Sequence, residues 1–174
     1  FTHFVGARLR TIRVKEVEEV YPDDIDLHSV PEFLAKLKAI PLLQTLNSGE
    51  VLLTSDTIVI HNEKILGKPK DEEDAINMLS SLSNSMHEVV TGVCLNSNSK
   101  SFSFSTVTKV YFTELTLAEI KYYVENFKPF DKAGSYGIQE WIGYIGVKKI
   151  EGCYYNVMGL PIHDLYAVLK KEFS

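Results

Sequence analysis

The stretch at residues 52–69, LLTSDTIVIHNEKILGKP, predicts the central strand around which the rest of the chain is arranged. Its first half is rich in aliphatic, mostly β-branched residues, which favours a buried β-strand. Asp56 and Thr57 interrupt that run, and a buried carboxylate without a partner is energetically expensive. The sequence therefore predicts that Asp56 faces a cation, a metal ion or a cluster of hydrogen-bond donors.

The second half of the stretch predicts that the chain reverses and returns beside the strand. Residues 61–64, HNEK, are typical of a turn, and Ile65 and Leu66 predict a short returning strand. This path predicts that Lys68 lies beside Asp56. The residues alone leave two interpretations open, a buried ion pair between these two side chains or a functional site that contains them.

Length and composition predict one globular domain with a cleft, because 174 residues are enough to bury a substantial core. Hydrophobic residues make up 45% and charged residues 24%, which are ordinary globular values, and no apolar run is long enough to cross a bilayer. The net charge of -5 argues against binding of long nucleic acid but permits a small anion held by a few lysines.

The two cysteines, Cys94 and Cys153, lie in strand-like surroundings and lack the spacing of metal ligands. We expect both to be free thiols in the core of a protein of the reducing cytoplasm.

One predicted helix begins after Ser29 as its N-cap and runs through residues 33–40, FLAKLKAI, until Pro41 ends or kinks it. Lys36 and Lys38 lie two residues apart in this helix, so they point in different directions.

The remaining elements alternate between strands and helices without a strict βαβ order. Strands are predicted at residues 4–5, 11–17, 86–95, 102–112, 142–147 and 153–157. Helices are predicted after the acidic stretch at 71–74, after the capping box of Thr116 and Glu119, and after residues 159–161. These elements predict an α/β domain with a long, partly antiparallel sheet flanked by helices.

The loop at residues 129–139, PFDKAGSYGIQ, is the second place where reactive groups gather, because Asp131, Lys132 and Gln139 lie in a segment without amphipathic periodicity. Tyr136 in this loop either stacks on a ligand or packs in the core. His87 does not begin a zinc-binding HExxH motif, since position 91 is threonine, so a structural role is favoured over metal coordination.

Several phrases taken together resemble the Maf family of nucleoside triphosphate pyrophosphatases, and their order and spacing match across residues 12–170. These phrases are SDTIV at 55–59, ILGKP at 65–69, HEVVTG at 87–92, DKAGSYGIQ at 131–139 and NVMGLP at 156–161. The resemblance implies an α/β fold with a central cleft, a single domain over residues 1–174, and hydrolysis of a nucleoside triphosphate to its monophosphate and pyrophosphate.

The resemblance also implies roles for individual residues. Asp56 is similar to the proton acceptor of the family, and Thr57 and Gln139 are similar to its specificity positions. Charged residues of the pocket are implied at Glu19, Lys38 and Lys68. The ending GIQ at 137–139 resembles the branch that acts on dTTP and UTP rather than the branch that prefers 7-methyl-GTP.

The chemistry of these groups supplies a reason for such roles. Cleavage between the α and β phosphates requires neutralised charge and a nucleophilic water, and Lys38 and Lys68 offer point charges for phosphate oxygens. Glu19 and Asp56 offer hard oxygen ligands suited to a divalent metal cation, Mg²⁺ or Mn²⁺, that makes the water more acidic. Gln139 offers both a donor and an acceptor for the imide edge of uracil or thymine.

One family phrase is missing, because members begin with a strand and an S-x-R-R phrase that residues 1–10 do not reproduce. We expect this phrase to belong to an N-terminal segment that the numbered sequence leaves out. The alternative is a non-catalytic nucleotide-binding regulator of cell division. The expected partner is a small-molecule nucleotide, with no long nucleic acid and no membrane, and a homodimer is compatible with the family.

Overall fold

The computed structural model describes residues 17–173, and these form one sheet of five strands with helices on both faces. The strands are β1 (Leu52–His61), β2 (Lys64–Leu66), β3 (Met86–Asn96), β4 (Ser101–Phe112) and β5 (Val147–Glu151). The helices are α1 (Val30–Ala39), α2 (Glu72–Leu82), α3 (Leu117–Phe127), α4 (Trp141–Gly146), α5 (Tyr154–Val157) and α6 (Ile162–Glu172). The strands predicted within residues 1–16, and the missing S-x-R-R phrase, lie outside the described residues.

The sheet has the strand order β2-β1-β3-β4-β5, and every pair of neighbours is antiparallel. The prediction of an α/β domain with a long, partly antiparallel sheet flanked by helices is therefore confirmed, and within residues 17–173 the pairing is antiparallel throughout. The predicted reversal after β1 is confirmed as well, because His61 pairs with Lys64 across a two-residue turn. Asn62 and Glu63 both have positive φ, of 49° and 58°, as the tightest hairpin turns require.

Helix α1 covers one face of the sheet, where Val30 and Leu34 pack against Ile58, Ile60 and Val90. The helix lies unusually close to β3, because a Cβ atom on Gly92 would stand 2.1 Å from the backbone nitrogen of Glu32. Gly92 is directly opposite Asp56 in the register of β1 and β3. A bare glycine at this position therefore lets α1 pass close over the middle of β1.

The opposite face of the sheet carries the larger core, built on Val59 and Val89 and closed by α2 and α3. Further along this face, Leu165 of α6 packs against Val93 and Leu95 of β3. Alternate residues of β1 and β3 thus enter two different cores, as expected for side chains that alternate across a sheet.

Two predicted strands near the C-terminus are wrong. Residues 142–147 are mostly helical, since α4 spans Trp141–Gly146, and the strand follows it as β5. Residues 153–157 form the short helix α5. Short apolar runs do not distinguish strands from buried helical turns, and in α4 the buried residues Ile142 and Gly146 are four apart, on one helical face.

The predicted helix ends are confirmed in one case and wrong in another. Thr116 and Glu119 form the reciprocal capping box at the start of α3. Ser29 does not cap α1, because it is already helical at the end of a preceding 3-10 turn and its hydroxyl donates to Asp26. Cys94 and Cys153 are both free thiols, as expected, but only Cys94 is buried in the core and Cys153 is partly exposed. Among the helices in residues 17–173, none has the length and apolar character needed to cross a membrane.

Candidate active site

A cavity of about 590 Å³ opens beside the middle of β1. It reaches both faces of the strand, because its walls include Leu34 of α1 on one face and Val59 and Tyr136 on the other. The six residues that the sequence singled out all line it, namely Glu19, Lys38, Asp56, Thr57, Lys68 and Gln139. The fold thus brings together side chains from five separate parts of the chain.

Asp56 is nearly buried, with 10% of its side chain exposed, and it points toward α1. The Lys38 ammonium group donates a hydrogen bond to Asp56 Oδ1. The same ammonium group lies 2.9 Å from Glu19 Oε1, so one lysine joins two carboxylates. This triad of Lys38, Asp56 and Glu19 is the electrostatic centre of the cavity.

Burial and hydrogen bonding shift the pKa values of Asp56 and Lys38. Burial raises the pKa of Asp56 above its ordinary value, and the hydrogen bond and charge of Lys38 only partly offset this rise. Burial alone would lower the pKa of Lys38, but its bonds to Asp56 and Glu19 outweigh burial and raise it. Lys38 therefore stays charged, while Asp56 is a stronger base than an exposed aspartate.

The cation that satisfies Asp56 is Lys38, so the interpretation of Asp56 and Lys68 as a buried ion pair is wrong. Lys68 is exposed on the cavity wall, and within residues 17–173 no salt bridge joins it to a carboxylate. Its positive charge still acts on Asp56, although burial and Lys38 affect the pKa of that group more strongly. Lys68 is thus a cation of the cavity without a carboxylate partner in this part of the chain.

The donor set fits a divalent cation only in part. Glu19 and Asp56 converge on one point, but the Lys38 ammonium group lies between them. No group of three or more acidic, histidine or cysteine side chains in residues 17–173 could enclose a metal ion. Two carboxylates suffice for Mg²⁺ only where phosphate oxygens and water complete the octahedron. The residues therefore suit a metal that arrives with a polyanionic ligand.

Thr57 extends from the opposite face of β1, away from the triad. Its hydroxyl lies 2.9 Å from that of Thr91, which is its partner in the register of β1 and β3. Gly159 adjoins this hydroxyl, because a Cβ atom there would lie 3.6 Å from Thr57 Oγ1. The φ of Gly159 is 103°, a conformation that favours glycine, so the chain leaves the Thr57 hydroxyl uncovered.

Tyr136 packs in the core rather than presenting its ring to a ligand. Its side chain is buried, and its hydroxyl lies 2.7 Å from His87 Nε2. His87 is also buried, and burial lowers its pKa to about 3, so it stays neutral at physiological pH. The structural role favoured for His87 is confirmed. Gln139 is exposed and lines the cavity, as does Asp131 of the same loop.

A hydrogen-bond network behind the cavity holds the loop at residues 129–139. The Tyr123 hydroxyl donates to Glu140 Oε2 and accepts from the backbone N–H of Gly137 at 3.1 Å. Glu140 Oε1 lies 3.3 Å from Lys132 Nζ, which also binds Asp131 Oδ1 at 2.8 Å. Helix α3 therefore fixes the backbone two residues before Gln139.

We expect Tyr123→Phe to lower the free energy of unfolding by about 1–3 kcal/mol, because it leaves the buried N–H of Gly137 without its acceptor. Urea unfolding of the variant measures this loss. Tyr122→Phe is the matched control, since Tyr122 is 50% exposed on the same helix. Equal free energies of unfolding for the two variants would show that the network does not hold the loop.

Some residues of the site escaped the sequence analysis. Tyr21, Met158 and Gly159 line the cavity, and Thr91 supports Thr57, yet none of them was assigned a role. The phrases at 87–92 and 156–161 were recognisable signals, because they contain Thr91, Met158 and Gly159. Tyr21 precedes the turn at residues 23–24 and carried no signal of its own.

The fold and the cavity define an α/β protein with a charged cleft. Comparison with known families is more specific, because residues 3–172 match the model of the Maf-like proteins, and the chain belongs to this family.

About half of the aligned residues are identical between this chain and several of its relatives. The dTTP/UTP pyrophosphatase of Christiangramia forsetii is 52% identical over 163 residues, which cover 94% of this chain and 83% of the relative. The dTTP/UTP pyrophosphatase of Flavobacterium johnsoniae is 51% identical over 158 residues, covering 91% and 81%. That of Bacteroides thetaiotaomicron is 49% identical over 156 residues, covering 90% and 81%.

Proposed function

We propose that this protein hydrolyses dTTP and UTP to the nucleoside monophosphate and pyrophosphate. The observation that carries the proposal is the triad of Asp56, Lys38 and Glu19 at one cavity, in a chain about half identical to several dTTP/UTP pyrophosphatases. A single domain over residues 1–174 performs the reaction, and a soluble nucleotide in the cytoplasm is its substrate. Neither long nucleic acid nor a membrane takes part, and a homodimer is compatible with this activity.

Asp56 is the proposed catalytic base. Burial raises its pKa, which makes the carboxylate better suited to accept a proton from water at neutral pH than an exposed aspartate. Lys38 hydrogen-bonds to the same carboxylate, so it orients the base and places a positive charge next to the attacked phosphate. The bond that forms joins the water oxygen to phosphorus, the bond that breaks is the α–β phosphoanhydride, and Asp56 takes the proton.

Lys68 and Lys38 are the proposed partners of the triphosphate. Lys68 is exposed on the cavity wall and has no carboxylate partner in residues 17–173, so its ammonium group is available to phosphate oxygens. Lys38 is already held by two carboxylates, which fixes its position before the substrate binds. These two lysines bind and orient the polyanion while the pyrophosphate leaves with its charge neutralised.

Glu19 and Asp56 are the proposed ligands of a divalent cation, Mg²⁺ or Mn²⁺, that the nucleotide brings with it. Such an ion lowers the pKa of a bound water and screens the phosphate charge. Both carboxylates line the cavity and contact the Lys38 ammonium group, so the ion would need phosphate oxygens and water to complete its coordination.

Thr57 and Gln139 are the proposed specificity residues. Both line the cavity, and Thr57 lies on the opposite face of β1 from Asp56. A nucleotide whose phosphates lie beside the triad therefore extends its base around the strand toward Thr57. Gln139 supplies a donor and an acceptor at the exposed rim for the imide edge of uracil or thymine.

A panel of nucleoside triphosphates tests the proposal. The protein is incubated with each substrate and Mg²⁺ or Mn²⁺, and the release of pyrophosphate and monophosphate is measured. We expect equimolar pyrophosphate and monophosphate from dTTP and UTP, and little product from purine nucleotides. Binding of UTP without any product would instead support the non-catalytic regulator.

A further inference from the structure

The hydroxyl groups of Thr57 and Thr91 form a short chain that ends on a backbone carbonyl. Thr91 is fully buried and its hydroxyl donates to the carbonyl oxygen of Asn156 at 3.1 Å. The Thr57 hydroxyl lies 2.9 Å from that of Thr91. Each hydroxyl has a single hydrogen, so both contacts are hydrogen bonds in only one arrangement. Thr57 must donate to Thr91, and Thr91 must donate to Asn156.

The residue that ends this chain of hydrogen bonds is held firmly, because Asn156 is fully buried and its side-chain amide makes two hydrogen bonds. Its Nδ2 donates to the carbonyl of Val89 at 3.0 Å and to Thr108 Oγ1 at 2.9 Å. Thr108 Oγ1 in turn bonds both the N–H and the carbonyl of Cys153. The turn around α5 is therefore anchored to β3 and β4, which fixes the carbonyl that receives the Thr91 hydrogen.

The direction of the hydrogen bond from Thr57 to Thr91 determines how Thr57 can interact with a ligand. Its only hydrogen is directed at Thr91, so only the lone pairs of its oxygen remain for the cavity. Gly159 leaves this oxygen uncovered. Within the cavity, the Thr57 hydroxyl is therefore a hydrogen-bond acceptor and not a donor.

We propose that Thr91 is a positioning residue for base selection, and that it makes Thr57 an acceptor for the hydrogen on ring nitrogen 3 of uracil or thymine. Cytosine has no hydrogen at this nitrogen, which is itself an acceptor, so its approach sets two lone pairs against each other. The proposal rests on the proposed function, since it names the contact by which the same site distinguishes UTP and dTTP from CTP.

The test compares kcat/KM for UTP and for CTP in the wild type and in Thr91→Val. This variant keeps the shape of the side chain but removes the acceptor for the Thr57 hydrogen, so Thr57 becomes free to rotate and to donate. We expect the ratio of UTP to CTP activity to fall by about tenfold or more. The fold should survive, because the carbonyl of Asn156 still accepts from the N–H of Gly159 at 2.9 Å.

Two further variants separate this role from a general loss of packing. Thr91→Ser restores the hydroxyl and should restore the wild-type ratio. Thr54→Val is the matched control, because Thr54 is a buried threonine of β1 whose hydroxyl bonds the carbonyl of Ala35 on the other face of the sheet. It should leave the ratio unchanged. An unchanged ratio in Thr91→Val, with normal cleavage of UTP, would overturn the inference and leave the proposed function intact.

A binding measurement keeps the inference testable without turnover. Calorimetry with UMP and CMP compares ligands that differ at nitrogen 3, which carries a hydrogen in uracil and is an acceptor in cytosine. We expect the wild type to bind UMP at least tenfold more tightly, and Thr91→Val to lose most of this preference. Equal affinities of the wild type for the two ligands would refute the contact at Thr57. Absence of cleavage together with this preference would refute only the proposed hydrolysis.

Discussion

Asp56→Asn should lower kcat for UTP by about 10²–10⁴-fold, because the amide keeps the shape of the carboxylate but cannot accept the proton of the attacking water. The loss should not come from unfolding. The pKa of Asp56 is raised in the folded protein, so its stabilising contribution is present at low pH and is lost as the pH rises through the folded pKa. At pH 7 the charged carboxylate disfavours folding, and a neutral amide should not.

The melting temperature of Asp56→Asn at pH 7 should therefore be equal to or higher than that of the wild type, while turnover is nearly lost. Asp164→Asn is the matched control. Asp164 of α6 is likewise a hydrogen-bonded carboxylate, because it accepts from the hydroxyl of Thr106, but it does not line the cavity. Its activity should match the wild type. Turnover by Asp56→Asn within threefold of the wild type would remove Asp56 from the reaction.

Lys38→Met should lower kcat/KM for UTP by about 10²–10³-fold, because it removes a charge fixed next to the phosphates. It also leaves the Asp56 and Glu19 carboxylates facing each other without the cation that joins them. Methionine preserves the length of the side chain and its packing on α1. Steady-state kinetics with UTP, together with the melting temperature, separate the loss of charge from a loss of fold.

Lys36→Met is the matched control for this substitution. Lys36 lies on the same helix, 53% exposed, and pairs with Glu32 rather than with a residue of the cavity. Exposed pairs of this kind contribute at most about 1 kcal/mol to stability. Its activity should equal that of the wild type. A loss of the same size in both variants would indicate damage to α1 rather than removal of a catalytic charge.

The sequence predicted β1, its hairpin and the importance of Asp56, because local rules apply to them. An aliphatic β-branched run predicts a buried strand, and a carboxylate inside it requires a partner. The turn chemistry of residues 61–64 then placed Lys68 on the correct side of the molecule. Only the resemblance to a known family added Glu19 and Lys38 to the pocket and gave Gln139 its role, since all three are remote from Asp56 in sequence.

The identity of the partner of Asp56 could not be predicted from these local rules. Lys38 lies on a helix whose path depends on Gly92, because only a residue without a side chain lets α1 pass so close to β3. This close approach is a property of the tertiary structure, and the hydrophobic periodicity of the sequence does not indicate it. The same limit applies to Thr91, whose role depends on α5 turning back onto β3 to present the carbonyl of Asn156.

The α4 segment shows a different limit, since WIGYIG is compatible with both a strand and a buried helical turn. Packing against residues elsewhere in the fold selects the helical form of this segment. A Cβ atom on Gly143 would lie 1.9 Å from the carbonyl oxygen of Ile138, so the turn packs directly on the end of the loop at residues 129–139. The choice between helix and strand was therefore made by tertiary packing.

The most direct test of the account is the dependence of kcat/KM for UTP on pH in the wild type and in Lys38→Met. Activity requires the deprotonated carboxylate of Asp56, so it should fall as the pH drops through the pKa of this group. The positive charge of Lys38 lowers that pKa against the rise caused by burial. The account predicts that the acid limb moves to higher pH in Lys38→Met, whereas ionisation of UTP is common to both proteins. An acid limb at the same pH in both would contradict the claim that Asp56, coupled to Lys38, is the catalytic base.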